Sequence, residues 1–293
     1  MSVARIVKEQ GGLHLLLCIG DGEKMKKVNS NINPAAAAIK RLYKDLKIEP
    51  LLGKFDCDYY DECRKSLKKP LRKDIITGNW PYIGVDYGKA VIAGVRCRIL
   101  VIAMDQGGFG EAEGLTFAER QSDWFEAFRS RVNAHTGGTS LIIQRLADNN
   151  SSDNTEPVLS AFAHTNSVKC APKKETEWMK SESTAIMRKC CRNHLERELE
   201  ILKPDLIITE GNGPITMLED ILELSEADCR SYKDNESIYS CEVYSGQPVV
   251  LAAPHPARKK GLKWREGELP PYYLKAIGRV RDIFKKVKNN AFK

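Results

Sequence analysis

Three stretches of the chain run from apolar residues straight into a polar tip. Arg98 to Phe117 (RILVIAMDQGGFGEAEGLTF) carries a β-branched segment into Asp105, Gln106, Gly107 and Gly108. Phe162 to Lys169 (FAHTNSVK) alternates and bears Asn166, while Pro248 to Ala253 (PVVLAA) is wholly apolar and stops at Pro254, His255 and Pro256. A short apolar run bounded by glycine, proline or an acid predicts a buried parallel strand, and open α/β sheets bind ligands just beyond the carboxyl ends of such strands. An acid, an amide and an imidazole at three strand ends therefore predict a site assembled along one sheet edge.

Between these strands the spacing predicts helices. Pro34 to Leu46 (PAAAAIKRLYKDL) starts at Asn33 and Pro34 and aligns Ile39, Leu42, Tyr43 and Leu46 on one face. Asp123 to Val132, Ser140 to Leu146, Leu195 to Leu202 and Pro271 to Val287 follow, the last basic at Arg279, Arg281, Lys285 and Lys286. Asp148 to Glu156 (DNNSSDNTE) is too hydrophilic for anything but a surface loop. Strands alternating with helices predict the α/β class, as a three-layer α/β/α sandwich with a short, mainly parallel central sheet.

Composition changes the picture in two respects. A net charge of +7 over 293 residues suits a polyanionic partner. The apolar run Leu15 to Ile19 is too short to span a bilayer, and no secretory leader is legible, so a cytoplasmic monomer with no membrane partner is expected. In that setting the nine cysteines are expected as reduced thiols. Cys18, Cys97, Cys229 and Cys241 read as small core residues; the others read as core residues or as metal ligands, a four-thiolate zinc site among the options.

The polar tips resemble the uracil-DNA glycosylase superfamily, most closely its thermostable iron–sulfur branch. That branch opens G-E-A-P-G and continues through an acid pair to G-x-P-F; laid without a gap, Ala103 takes the first position, Asp105 the third, Gly107 the fifth, Glu111 the second acid, Gly114 the later glycine and Phe117 the phenylalanine. Single-strand-selective members carry G-M-N-P-G-P-F-G, which Ala103 to Gly110 also follows. The superfamily's T-N-x-V-K-C is similar to Thr165 to Cys170, its C-R-P-x-L to Cys191 to Leu195, its I-x-P and following strand to Leu202 to Thr209, and its late H-P-A to His255, Pro256 and Ala257. The resemblance implies a glycosylase-like domain over residues 56–293; residues 1–55 have no counterpart in it and, from the helix at Pro34 to Leu46, are expected to form an N-terminal helical extension packed on the core.

It also implies chemistry. Hydrolysis of an N-glycosidic bond in DNA requires the base to leave the stack, and builds positive charge on the sugar and negative charge on the departing pyrimidine. Asp105 would stabilise the cation and orient a water, and His255 would donate a hydrogen bond to the leaving base. Asn166 suits a pyrimidine edge, Phe117 would stack on the base beside Gln106 and Gly107, and Arg258, Lys259, Lys260, Lys263 and Arg265 would hold phosphates. The branch's four cluster cysteines correspond to Cys57, Cys63, Cys170 and Cys191, which implies a [4Fe–4S] cluster. The first pair departs, with five residues between Cys57 and Cys63 where the branch has two, and Cys190 is a rival ligand.

Two departures bear on substrate. Met104 stands at the branch's glutamate and Gln106 at its proline, while Asp105 matches the uracil enzymes whose motif continues D-P-Y; here Gly107 and Gly108 leave out that tyrosine. Enlarged 5-modified pyrimidines, such as the hypermodified cytosines of phage DNA that some superfamily members attack, are expected substrates alongside uracil. The reading from another class is a catalytically silent nucleic-acid-binding protein on the same scaffold. A nucleotide hydrolase finds no support, because no G-x4-G-K-[ST] sequence occurs.

Overall fold

The structure is a computed structural model that describes residues 33–50, 56–67, 75–104, 115–148, 155–172, 183–234, 237–256 and 267–291, together with two N-terminal strands, 4–9 and 12–17. The chain runs through β1 (Ala4–Glu9) and β2 (Gly12–Leu17), an antiparallel hairpin, then α1 (Pro34–Asp45), α2 (Tyr60–Lys65), and the short strands β3 (Ile75–Thr77), β4 (Tyr82–Ile83), β5 (Ala90–Ile92) and β6 (Val95–Cys97). It continues through β7 (Ile99–Ala103), α3 (Phe117–Ser130), α4 (Ala134–Leu146), α5 (Glu156–Leu159), β8 (Phe162–Asn166), β9 (Cys170–Pro172) and α6 (Ala185–Leu202). It ends with β10 (Leu206–Glu210), α7 (Asn212–Leu222), β11 (Cys229–Lys233), β12 (Ser240–Tyr244), β13 (Val249–Ala253) and α8 (Pro271–Asn290).

Seven strands form the central sheet in the order β11-β12-β13-β10-β7-β8-β4. The inner four, β13, β10, β7 and β8, are parallel to one another; β4 and the β11–β12 pair close the edges antiparallel. Every residue of β7 is buried, and its side chains alternate between two cores. Ile99 and Val101 join Phe128, Ile142, Tyr273 and Val280 from α3, α4 and α8. Leu100 and Ile102 join Ile39, Tyr43, Leu195 and Leu218 from α1, α6 and α7. A strand buried on both faces needs apolar residues at every position, which is why these runs do not alternate in polarity. The predicted three-layer sandwich with a mainly parallel sheet is the fold observed. Before residue 55 the chain supplies the hairpin as well as a helix, and α1 packs on α6 through the face its spacing predicts, with Ile39, Leu42 and Tyr43 buried.

Three helices start earlier than their apolar spacing indicates, each because a cap precedes it. Thr116 and Glu119 form a capping box that opens α3 at Phe117 rather than Asp123. Asn133 caps α4, which contains the buried glycine pair Gly137 and Gly138 ahead of the apolar run from Leu141. Thr184 caps α6, which begins ten residues before Leu195 and so contains Cys191 on a buried face shared with Leu195, Glu198 and Leu202.

An ion pair ties α6 to β8. Lys169 Nζ meets Glu198 Oε2 at 2.7 Å with the two side chains 2% and 1% exposed, and it also donates to Thr165 Oγ1 and to the Asn166 carbonyl. Thr165 Oγ1 donates to the same Glu198 oxygen at 3.0 Å. Removing one member of such a buried pair leaves the other uncompensated in a low-dielectric interior. Lys169→Met is therefore expected to lower the unfolding free energy by about 3–5 kcal/mol in urea denaturation, and Lys169→Met with Glu198→Leu by less. A single-variant loss under about 1 kcal/mol would class the pair with hydrated surface bridges.

Candidate active site

The parallel strands end together. Ala103 pairs with Asn166, Ile102 with Thr209, and Glu210 with Ala253, so whatever follows these strands emerges along one edge. The end of β7 is clamped to the turn that carries Asn166: Ser167 N donates to the Ala103 carbonyl at 2.8 Å, and Val168 N and Ser167 Oγ donate to the Met104 carbonyl at 3.1 and 2.8 Å. Asn166 itself is half-buried. Asp105, Gln106 and Gly107 lie outside the described residues, as do Arg258, Lys259, Lys260, Lys263 and Arg265.

His255, also half-buried, follows β13 in a turn held by Tyr273, whose hydroxyl donates to the Pro254 carbonyl at 2.7 Å. Its ring stacks on His135 of α4, with centroids 5.1 Å apart and planes at 25°. Next to it Gly211 turns β10 into α7 at φ +101°, a left-handed conformation that strains residues with a Cβ, while its N–H donates to the Ala253 carbonyl at 2.8 Å. Phe117 is buried at the first turn of α3, edge-on to Trp80 at 5.2 Å; Trp80 in turn stacks on Tyr43 at 5.4 Å.

Beneath His255 lies a polar cluster that the sequence reading did not single out. Glu210, with no exposed surface, meets His135 Nε2 through Oε2 at 2.7 Å and accepts from Thr139 Oγ1 through Oε1 at 2.6 Å. Burial pushes its carboxyl up, yet His135, His164 and Thr139 together outweigh that and hold it below the usual carboxylate range. His164 is enclosed by Trp124, Phe128 and His135, and burial first, then the neighbouring His135, brings it down to about 3, so the imidazole is neutral near pH 7. Glu210 closes the apolar run LIITE, so the strand-end argument applied to Asp105 would have found it. Nothing local marks His135 or His164.

The thiols gather on the other face of the sheet. Cys57, Cys63, Cys170, Cys190 and Cys191 line one cavity of about 10 Å³ with Ile48, Lys169 and His194. Cys63 hydrogen-bonds Cys170 and Cys190, Cys170 bonds Cys191, Cys57 Sγ lies 3.6 Å from His194 Nε2, and Lys169 N donates to Cys191 Sγ at 3.3 Å. The bond from Cys170, opposed by burial and assisted by Cys190, brings the Cys63 thiol down to about 7, whereas burial pushes Cys57 up to about 11. The four expected ligands are thus brought together, with Cys190 as a fifth. Their donor type suits a thiolate-held metal group, but the thiols pack against one another around a space no larger than a water. Cys97 and Cys241 are ordinary buried residues and Cys229 is half-buried; Cys18 lies outside the described residues.

Residues 92–265, more than half of the chain, match the family described as the uracil DNA glycosylase superfamily. The chain belongs to that superfamily. No individual curated protein matches it. The superfamily's members are generally DNA glycosylases and act on DNA. The matched region contains β7, β8, β10 and β13 together with Asn166, Glu210 and His255, whereas α1, Cys57 and Cys63 precede it. Among the described residues, no helix is long and apolar enough to cross a membrane.

The close approach of α4 to the His255 turn gives a test of how tightly this edge is built. A Cβ on Gly138 would meet Pro256 Cβ at 2.4 Å, whereas one on Gly278 of α8 meets nothing within 4 Å. Gly138→Ala should therefore destabilise the protein by about 1–3 kcal/mol by overpacking. Gly278→Ala, relieving only helix-interior entropy, should stabilise by about 0.5–1 kcal/mol. Thermal unfolding of the two variants checks both signs.

Proposed function

We propose that the protein is a monofunctional DNA glycosylase that hydrolyses the N-glycosidic bond of a flipped pyrimidine. The observation that carries this reading is the convergence of the β8 end at Asn166 with the β7 end at Met104, the residue before Asp105, in a chain of the uracil DNA glycosylase superfamily. His255 follows β13, which reaches the same edge through β10.

The base enters extrahelically, since its glycosidic bond is out of reach inside the duplex. Ionised Asp105 stabilises the developing sugar cation and orients the attacking water; His255 donates a hydrogen bond to the departing base as O2 gains charge. Asn166 reads the Watson–Crick edge with one donor and one acceptor. Phe117, backed by Trp80, supplies an aromatic face to the base, and Gln106 and Gly107 border it. Arg258, Lys259, Lys260 and Lys263 grip phosphates of the bent strand.

The preferred substrate in this reading is a 5-modified cytosine, hydroxymethylated or glucosylated, of the kind found in phage DNA. Its support is Gly107 and Gly108 in the place of a tyrosine that would close the space beside C5. Uracil is the competing substrate, favoured by the superfamily's name and by Asp105 at the position of the uracil enzymes' aspartate. Cys57, Cys63, Cys170 and Cys191, with Cys190 beside them, are the residues that would hold a [4Fe–4S] cluster as in the iron–sulfur branch. The cluster's contribution is to pin loops against DNA, with no part in bond cleavage.

Incubation with oligonucleotides bearing uracil, 5-hydroxymethylcytosine or its glucoside, followed by mass spectrometry of released bases, identifies the substrate. Asp105→Ala and His255→Ala are each expected to slow excision by about 10²–10³ while DNA binding persists, because both groups act on charge that exists only in the transition state. DNA binding by the wild type with no base released would establish the silent binder instead. Anaerobic purification should give a brown protein with about four iron atoms per chain, lost in Cys63→Ser and Cys170→Ser. A colourless protein containing zinc or no metal would remove the cluster from the reading.

A further inference from the structure

We propose that His135, His164 and Glu210 form a zinc-type divalent metal site next to His255, distinct from the thiols and independent of whether the chain excises a base. One ligand atom from each of the three lies within 4.8 Å of the other two. A metal bonded to nitrogen and oxygen at about 2.0–2.1 Å holds its ligands closer still, so modest side-chain adjustment closes the set. The three come from separate elements, α4, β8 and β10, all on the face of the sheet opposite the cysteines.

The chemistry of the set is that of a metal centre. Glu210 has no exposed surface and brings one negative charge into the interior, and His164 Nε2 is buried with no hydrogen-bond partner among the described residues. A divalent cation would neutralise the carboxylate and use a neutral imidazole, the ordinary ligand form of histidine. Thr139 already donates to the second Glu210 oxygen at 2.6 Å, the outer contact that fixes a ligating carboxylate in orientation. Two imidazoles and one carboxylate select zinc and similar transition metals over magnesium or calcium, which favour all-oxygen sites. His135 is the partly exposed member, its side chain 21% exposed, and its ring stacks on His255; a bound ion would thus fix α4 and, through it, the His255 turn.

The test uses the full chain as purified, with its thiol site intact, stripped of loosely held metal and titrated with zinc. Zinc K-edge X-ray absorption should report a shell of nitrogen and oxygen at about 2.0–2.1 Å for one equivalent, where binding by the cysteines would report sulfur at about 2.3 Å. Glu210→Gln should abolish that equivalent. Thr139→Val, which touches no metal and tests the site should Glu210→Gln fail to fold, should weaken it by about 10–100-fold. Zinc seen only with sulfur neighbours, no zinc retained by the wild type, or unchanged affinity in Thr139→Val would each overturn the site.

Discussion

The structure depends on the parallel register of its four inner strands. Backbone pairing of Ala103 with Asn166 and of Glu210 with Ala253 forces the carboxyl ends of β7, β8, β10 and β13 to one edge, and each strand must then hand its chain to a loop or helix there. Burial on both faces stabilises those strands and limits their polar side chains to positions near the carboxyl ends, where His164 and Thr165 of β8 and Thr209 of β10 precede the last residue. Polar groups are therefore concentrated where the sheet stops. Asn166, Glu210 and the His255 turn are consequences of that one constraint.

Among the described residues, charge is admitted to the interior at two places, one on each face. On the cysteine side Lys169 neutralises Glu198 and binds the Thr165 hydroxyl, joining α6 to the turn that carries Asn166. On the opposite side Glu210 is held by His135 and Thr139 from α4, the helix that also stacks on His255. Both carboxylates sit against the ends of sheet strands, and each fixes a helix to a segment bearing a candidate site residue. A buried charge that must be matched admits fewer arrangements than an apolar contact, so these pairs constrain the edge beyond what packing alone requires.

The cysteines show how sequence distance and spatial distance separate. Cys57 precedes the short helix α2 and Cys63 lies within it, Cys170 comes from a strand directly after the Asn166 turn, and Cys190 and Cys191 from successive positions of α6. Helical geometry turns successive residues about 100° apart, yet both Cys190 and Cys191 face the cavity because α2 and β9 enclose that side of α6 from two directions. The sequence marked Cys190 as a rival to Cys191, and only the tertiary structure shows that both join the other three.

The sequence by itself determined the sandwich and the inner strands β7, β8 and β13, with Asn166 ending β8 and His255 following β13, because an apolar run ending in a polar residue carries both the element and its terminus in local order. It also carried the superfamily motifs, which follow those same strands. Helix starts were less legible: Thr116, Asn133 and Thr184 act through caps whose partners lie three residues onward, and the glycine pair of α4 interrupts its apolar spacing. Only the tertiary structure decided the meeting of His135, His164 and Glu210. Those residues are contributed by a helix and two strands far apart in the chain, and what unites them is sheet register and the close packing of α4, neither of which leaves a periodic trace in sequence.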